Sequence, residues 1–74
     1  MKITGTRSYI DVEYNGRTAR IGGELGMNGF YAIESSMRWL PPHEHLPVTE
    51  VERNALVKDV LRESEGREFQ IYFE

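Results

Sequence analysis

Cysteine is absent from these 74 residues, so disulfide bracing, cysteine-ligated zinc and thiol redox chemistry are excluded together. No apolar stretch approaches the ~20 residues that a membrane-spanning helix needs. The opening Met1-Lys2-Ile3-Thr4-Gly5 carries no long apolar run either, so no signal peptide is expected and a cytoplasmic protein is the plain reading. Also missing are a nucleophile elbow, a phosphate-binding glycine loop and the H-E-x-x-H pair of a metalloprotease helix. Length itself is scarce. A chain this short has room for one domain, residues 1–74, and buries about 60% of the surface its unfolded form exposes. Such a core leaves little volume for an enclosed reaction chamber, so function is expected on an outward-facing patch, without catalysis.

Positive charge is in short supply too, most of all in the second half. The chain carries nine basic and twelve acidic side chains, for a net charge of −3. Residues 1–42 hold five basic and four acidic groups, whereas residues 43–74 hold four and eight. An acidic half repels phosphate, which argues against nucleic acid as a partner. The same field would steer a basic protein toward this one. A solvated helix face that keeps the protein dispersed accounts for it equally simply.

What is present is a well-marked hairpin. Tyr9-Ile10-Asp11-Val12-Glu13-Tyr14 alternates apolar and polar residues, as a half-buried strand does. Asn15-Gly16 then supplies the preferred pair for a type I′ turn, where both central residues need φ > 0. With Arg17-Thr18-Ala19-Arg20-Ile21 returning, the turn predicts the pairs Tyr14–Arg17, Glu13–Thr18, Val12–Ala19, Asp11–Arg20 and Ile10–Ile21. Val12, Ala19, Ile10 and Ile21 then share one face, and Asp11 meets Arg20 on the other. Slipping by one residue would scramble both sets.

Four glycines in residues 22–29 predict a loop there. Phe30-Tyr31-Ala32-Ile33 reads as a short third strand. Ser35 to Trp39 fits either one helical turn or more strand, and Pro41-Pro42 ends both. An exposed connector then runs from His43 to Pro47. Thr49-Glu50-Val51-Glu52 has the form of a capping box, and Leu56, Val57, Val60 and Leu61 follow as one apolar stripe. A helix over 49–64 is expected, closed by Gly66. Glu68 to Phe73 alternates as a final strand with Phe69, Ile71 and Phe73 inward, and Lys2-Ile3-Thr4 adds a possible edge strand. The expected class is α+β, with an antiparallel sheet of four to five strands packed against that helix.

Two segments stand out for function. In His43-Glu44-His45, residues two apart point the same way in an extended chain, so both imidazoles could reach one metal ion, with Glu24 or Glu34 as a third ligand. His43 with either glutamate also forms a formal acid–base pair. Two ordinary histidines in a solvated loop explain the segment as well. Trp39-Leu40-Pro41-Pro42 is the stronger case, because tryptophan anchors many interfaces and a stiff diproline loses little entropy on binding. Against that, Trp39 also suits a core too small to do without it. Tyr9, Asp11, Glu13, Thr18 and Arg20 line the outer hairpin face, where mixed charge favours solvent. The residues expected to contact a partner are Trp39, His43, Glu44, His45, Glu24 and Glu50. No cofactor is expected, and an accessory or self-associating module is a further alternative.

Ile3 to Ala19, Gly22-Gly23-Glu24 leading to Gly29-Phe30, and Ser36-Met37-Arg38-Trp39-Leu40-Pro41-Pro42-His43 followed by Val48-Thr49-Glu50 form an ordered set. That order resembles immunity protein family 74, small α+β proteins encoded beside toxins in bacterial polymorphic-toxin systems. The W-x-P-P-H stretch is its most specific piece. The resemblance implies a protein that binds and neutralises a cognate toxin in the cell that makes it. It implies no catalytic residues.

Overall fold

A computed structural model describes residues 1–67 and 70–74. The described residues form strands β1 (Ile3–Gly5), β2 (Tyr9–Tyr14), β3 (Arg17–Leu25), β4 (Gly29–Ala32), β5 (Arg38–Trp39) and β6 (Gln70–Phe73). A 3₁₀ turn at Glu34–Ser36 precedes β5, and helix α1 (Glu50–Ser64) precedes β6. The sheet runs β1-β2-β3-β4-β6, with β5 paired to β3 beside β4. It is the expected α+β class, a mostly antiparallel sheet with one helix.

The hairpin has the register that its turn dictates, from Tyr14↔Arg17 through Ile10↔Ile21. Asn15 and Gly16 supply the positive φ values, 49° and 77°, that a type I′ turn requires. Val12, Ala19 and Ile21 are fully buried on one face. On the other, the Arg20 guanidinium donates to both Asp11 carboxylate oxygens at 2.8 and 3.0 Å. That bond, with the Asp11 charge, raises the Arg20 pKa, and the guanidinium lies 3.8 Å over the Tyr9 ring.

The glycine-rich stretch corrects the sequence reading. Instead of looping from Gly22, the chain stays in β3 through Leu25 and pairs Gly23↔Ala32, Glu24↔Tyr31 and Leu25↔Phe30. Glycine serves close approach here. A Cβ at Gly23 would collide with the Tyr31 carbonyl oxygen and press on the Phe30 ring. Between its two partners on that edge, β3 is bridged by Ser36, whose Oγ accepts the Gly22 N–H at 2.8 Å and donates to the Ile33 carbonyl at 2.6 Å. Residues 34–39 thus form a helical turn and then a strand, where the sequence offered the two as alternatives.

The capping box closes at the start of α1. Thr49 Oγ1 accepts the Glu52 N–H at 3.1 Å, and the Glu52 carboxylate accepts the Thr49 N–H at 3.0 Å. Leu56 and Val60 are buried and Val57 packs on the core, but Leu61 is 44% exposed, so the apolar stripe is narrower than expected. Gly66 follows the helix with φ 78°. The chain returns in β6 parallel to β4, pairing Phe30↔Ile71 and Tyr31↔Tyr72, in a sheet otherwise antiparallel. Ile71 is buried and Phe73 packs against the core. Phe69, expected to point inward with them, lies with Glu68 outside the described residues.

Candidate functional site

Trp39 organises one end of the molecule. It pairs with Ala19 on β3 and is 1% exposed. Its ring stacks on Tyr14 at a centroid separation of 6.5 Å, and the Arg17 guanidinium sits 5.3 Å above it. The indole Nε1–H donates to the Pro47 carbonyl at 3.3 Å. The stretch from Pro41 to Val48 therefore wraps around a tryptophan that is already part of the core. Of the core and interface readings offered for Trp39, its 1% exposure fits the core, because the indole has almost no surface to offer.

The connector it supports does have surface. The Leu40 N–H donates to the Thr18 carbonyl at 2.8 Å, and two tight turns follow, His43 N–H to Leu40 O and Leu46 N–H to His43 O, each at 3.0 Å. Leu46 and Val48 turn inward against the core. Pro41, Pro42, Glu44, His45 and Pro47 face solvent, and His43 is half-buried. Glu50 is exposed one residue beyond the cap. Arg17 reaches across from the hairpin to Glu52 at 3.4 Å, tying the hairpin tip to the helix start. Thr49's backbone N–H, then its hydroxyl, then the Arg17 charge hold the Glu52 carboxyl below the usual carboxylate range.

Glu24 does not join this group. It lies near the opposite end of β3, five residues beyond the Ala19↔Trp39 pair, which is roughly 16 Å along a strand. Glu34 is drawn to the chain end instead, its N–H donating to the Glu74 carbonyl at 3.0 Å. Among the described residues the structure therefore assembles neither the pairing of His43 with Glu24 or Glu34 nor a third ligand for His43 and His45. Among the described residues no group of three His, Cys, Asp or Glu side chains is placed to hold a metal ion.

Glu24 belongs to a different row. It pairs with Tyr31, which pairs in turn with Tyr72, and the two tyrosine rings stack with centroids 5.1 Å apart. Sequence reasoning missed this pair because a parallel contact between residues 41 apart in the chain leaves no local signal. On the opposite face of the sheet, an apolar groove of about 460 Å³ opens among Ile3, Ile10, Leu25, Phe30 and Ile71, with Arg7 and Arg67 beside it. Among the described residues the ionisable groups lining it are those two cations, which make no acid–base pair.

No helix among the described residues is long and apolar enough to cross a membrane. A family model described as Immunity protein 74 matches residues 2–74. No curated protein and no solved structure matches the chain.

Proposed function

The chain belongs to the immunity protein 74 family, and from that premise we propose that it binds a cognate toxin in the cytoplasm of the producing cell and blocks it by occlusion, acting as one domain without catalysis. The family match over residues 2–74 is the observation that carries this reading. The contact surface is the connector and helix start, led by His43, Glu44, His45 and Glu50. Two physical features support that choice. Glu44 and Glu50 are exposed acids at the start of the more acidic half, suited to steering a basic partner. Beneath them the connector is held by Trp39, Leu46 and Val48, so little ordering entropy is lost on binding. Glu24, near the other end of β3, serves as a secondary contact when the toxin extends along the sheet.

Co-expression with the product of the neighbouring toxin gene tests the reading. Wild type is expected to co-purify with the toxin and restore growth. The double variant Glu44→Lys, Glu50→Lys is expected to bind at least about tenfold more weakly, with an unchanged far-ultraviolet circular dichroism spectrum. Neither rescue nor co-purification by wild type would sink the neutralisation reading. Unaltered affinity in the folded double variant would move the contact surface elsewhere.

A further inference from the structure

The outer edge of β6 is built to pair with itself, and we infer that a second copy of this chain docks there, joining the two sheets across a two-fold axis at Tyr72. Among the described residues, strand β6 ends the sheet order, bonded to β4 on one side only. The Glu74 N–H donates to the Ala32 carbonyl and the Glu74 carbonyl accepts the Glu34 N–H, so residue 74 points its backbone groups at β4. By strand alternation Gln70 and Tyr72 do the same, while Ile71 and Phe73 direct theirs outward.

Edge strands usually carry a charge, a proline or a bulge that discourages pairing. Gln70-Ile71-Tyr72-Phe73 has none of these. Two antiparallel copies centred on Tyr72 match every outward group of the strand. Ile71 of each copy exchanges both backbone hydrogen bonds with Phe73 of the other, four bonds in all. Tyr72 then faces its own symmetry mate in a non-hydrogen-bonded pair, the closer of the two antiparallel spacings. Because each Tyr72 already stacks on Tyr31, the result is a row of four tyrosines on the outer face.

Charge on the helix selects the same partner. Lys58, Leu61 and Arg62 of α1, with Glu65 at its C-cap, border a groove beside Gln70, Ile71 and Tyr72. Leu61 and Tyr72 are 44% and 41% exposed, two large apolar groups left at one edge. Antiparallel apposition about the Tyr72 axis sets Lys58 opposite the other copy's Glu65, twice by symmetry, with the two Leu61 side chains between. A like-for-like surface of this kind is an isologous interface. The His43–His45 connector and Glu50 take no part in it, so dimer formation stands or falls separately from toxin binding.

Sedimentation equilibrium of the full chain over a concentration series tests the pairing. Wild type is expected to move from the mass of one chain to twice that mass. Lys58→Glu or Glu65→Lys alone is expected to weaken self-association roughly tenfold, since two attractions become repulsions, and the two together in one chain to restore it. The cysteine-free sequence allows a second readout. Tyr72→Cys places two thiols at the axis, where the Cα spacing of about 4.5 Å for such a pair suits a disulfide. Mild oxidation is expected to give a covalent dimer from it, and not from Met27→Cys at a loop position 99% exposed. A single-chain mass up to millimolar concentration overturns the inference. So does equal cross-linking at positions 27 and 72, or a β6 edge that takes up only the toxin.

Discussion

The two halves of β3 are held in different ways. From Arg17 to Ile21 the strand adds side-chain contacts to its β2 ladder: Trp39 against Ala19 and Tyr14, Arg17 to Glu52, Asp11 to Arg20. From Gly22 to Leu25, apart from the Ser36 hydroxyl on Gly22, it is secured through main chain, with the Ser8 and Arg7 carbonyls accepting the Gly23 and Leu25 N–H groups on one edge and β4 paired on the other. In the first half, a lost side chain should loosen the structure. In the second, an added one should.

Trp39→Ala breaks the first half and should have the largest effect. Removing a buried tryptophan costs about 3–5 kcal/mol, a large part of the roughly 4–11 kcal/mol expected for a chain of this length. Urea unfolding followed by circular dichroism should show a much lower midpoint, because the connector loses the ring it wraps and the donor to Pro47. A midpoint close to wild type would mean that the connector packs without the indole, and the contrast between the halves would be lost.

Gly23→Ala breaks the second half, and Gly22→Ala is its control. At Gly23 the new methyl would meet the Tyr31 carbonyl, the Phe30 ring at 2.8 Å and Ala32 Cα at 2.9 Å. Main chain cannot give way as a flexible side chain can, so destabilisation of about 1–3 kcal/mol or more is expected. At Gly22 the nearest atom is Ser36 Oγ at 3.4 Å, and an alanine there should stay within about 1 kcal/mol of wild type. Equal urea midpoints for the two adjacent variants would show that close backbone approach is not what this half depends on.

The same division explains what could be read from residue order. Asn15-Gly16 and the alternation around it dictate the hairpin register, and Thr49 to Glu52 spells its own cap. Both are local, because the interacting groups lie close in the chain. Gly22 and Gly23 carry the opposite local signal, looseness, and their role emerges only when Tyr31 and Phe30 come alongside. The parallel pairing of β4 with β6 is equally nonlocal. At the candidate surface, Glu44, His45 and Glu50 were legible as exposed polar groups beside a proline stop. Whether Trp39 is core or interface was not, since its depth depends on Leu46, Val48 and Pro47 folding back over it. Nor was the distance of Glu24, which is set by β3 running straight through the glycines.

The smallest expected effect returns to the side-chain-held half and depends on acidity. Glu52 has its pKa lowered by the Thr49 N–H, the Thr49 hydroxyl and Arg17, so folding favours its ionised form. A carboxylate depressed in the folded state contributes stability that is fully present above its unfolded value, about 4.3. That contribution fades as pH falls through the folded value. Glu52→Gln is the informative variant, because glutamine can still accept the Thr49 N–H in a capping box but does not titrate. Urea midpoints measured from about pH 6 down to pH 3 should show wild type ahead of the variant at the upper end and the gap closing toward the lower. A gap that widens with acid has the wrong sign for a depressed carboxylate, and would mean that neither the cap nor Arg17 favours the charged form of Glu52.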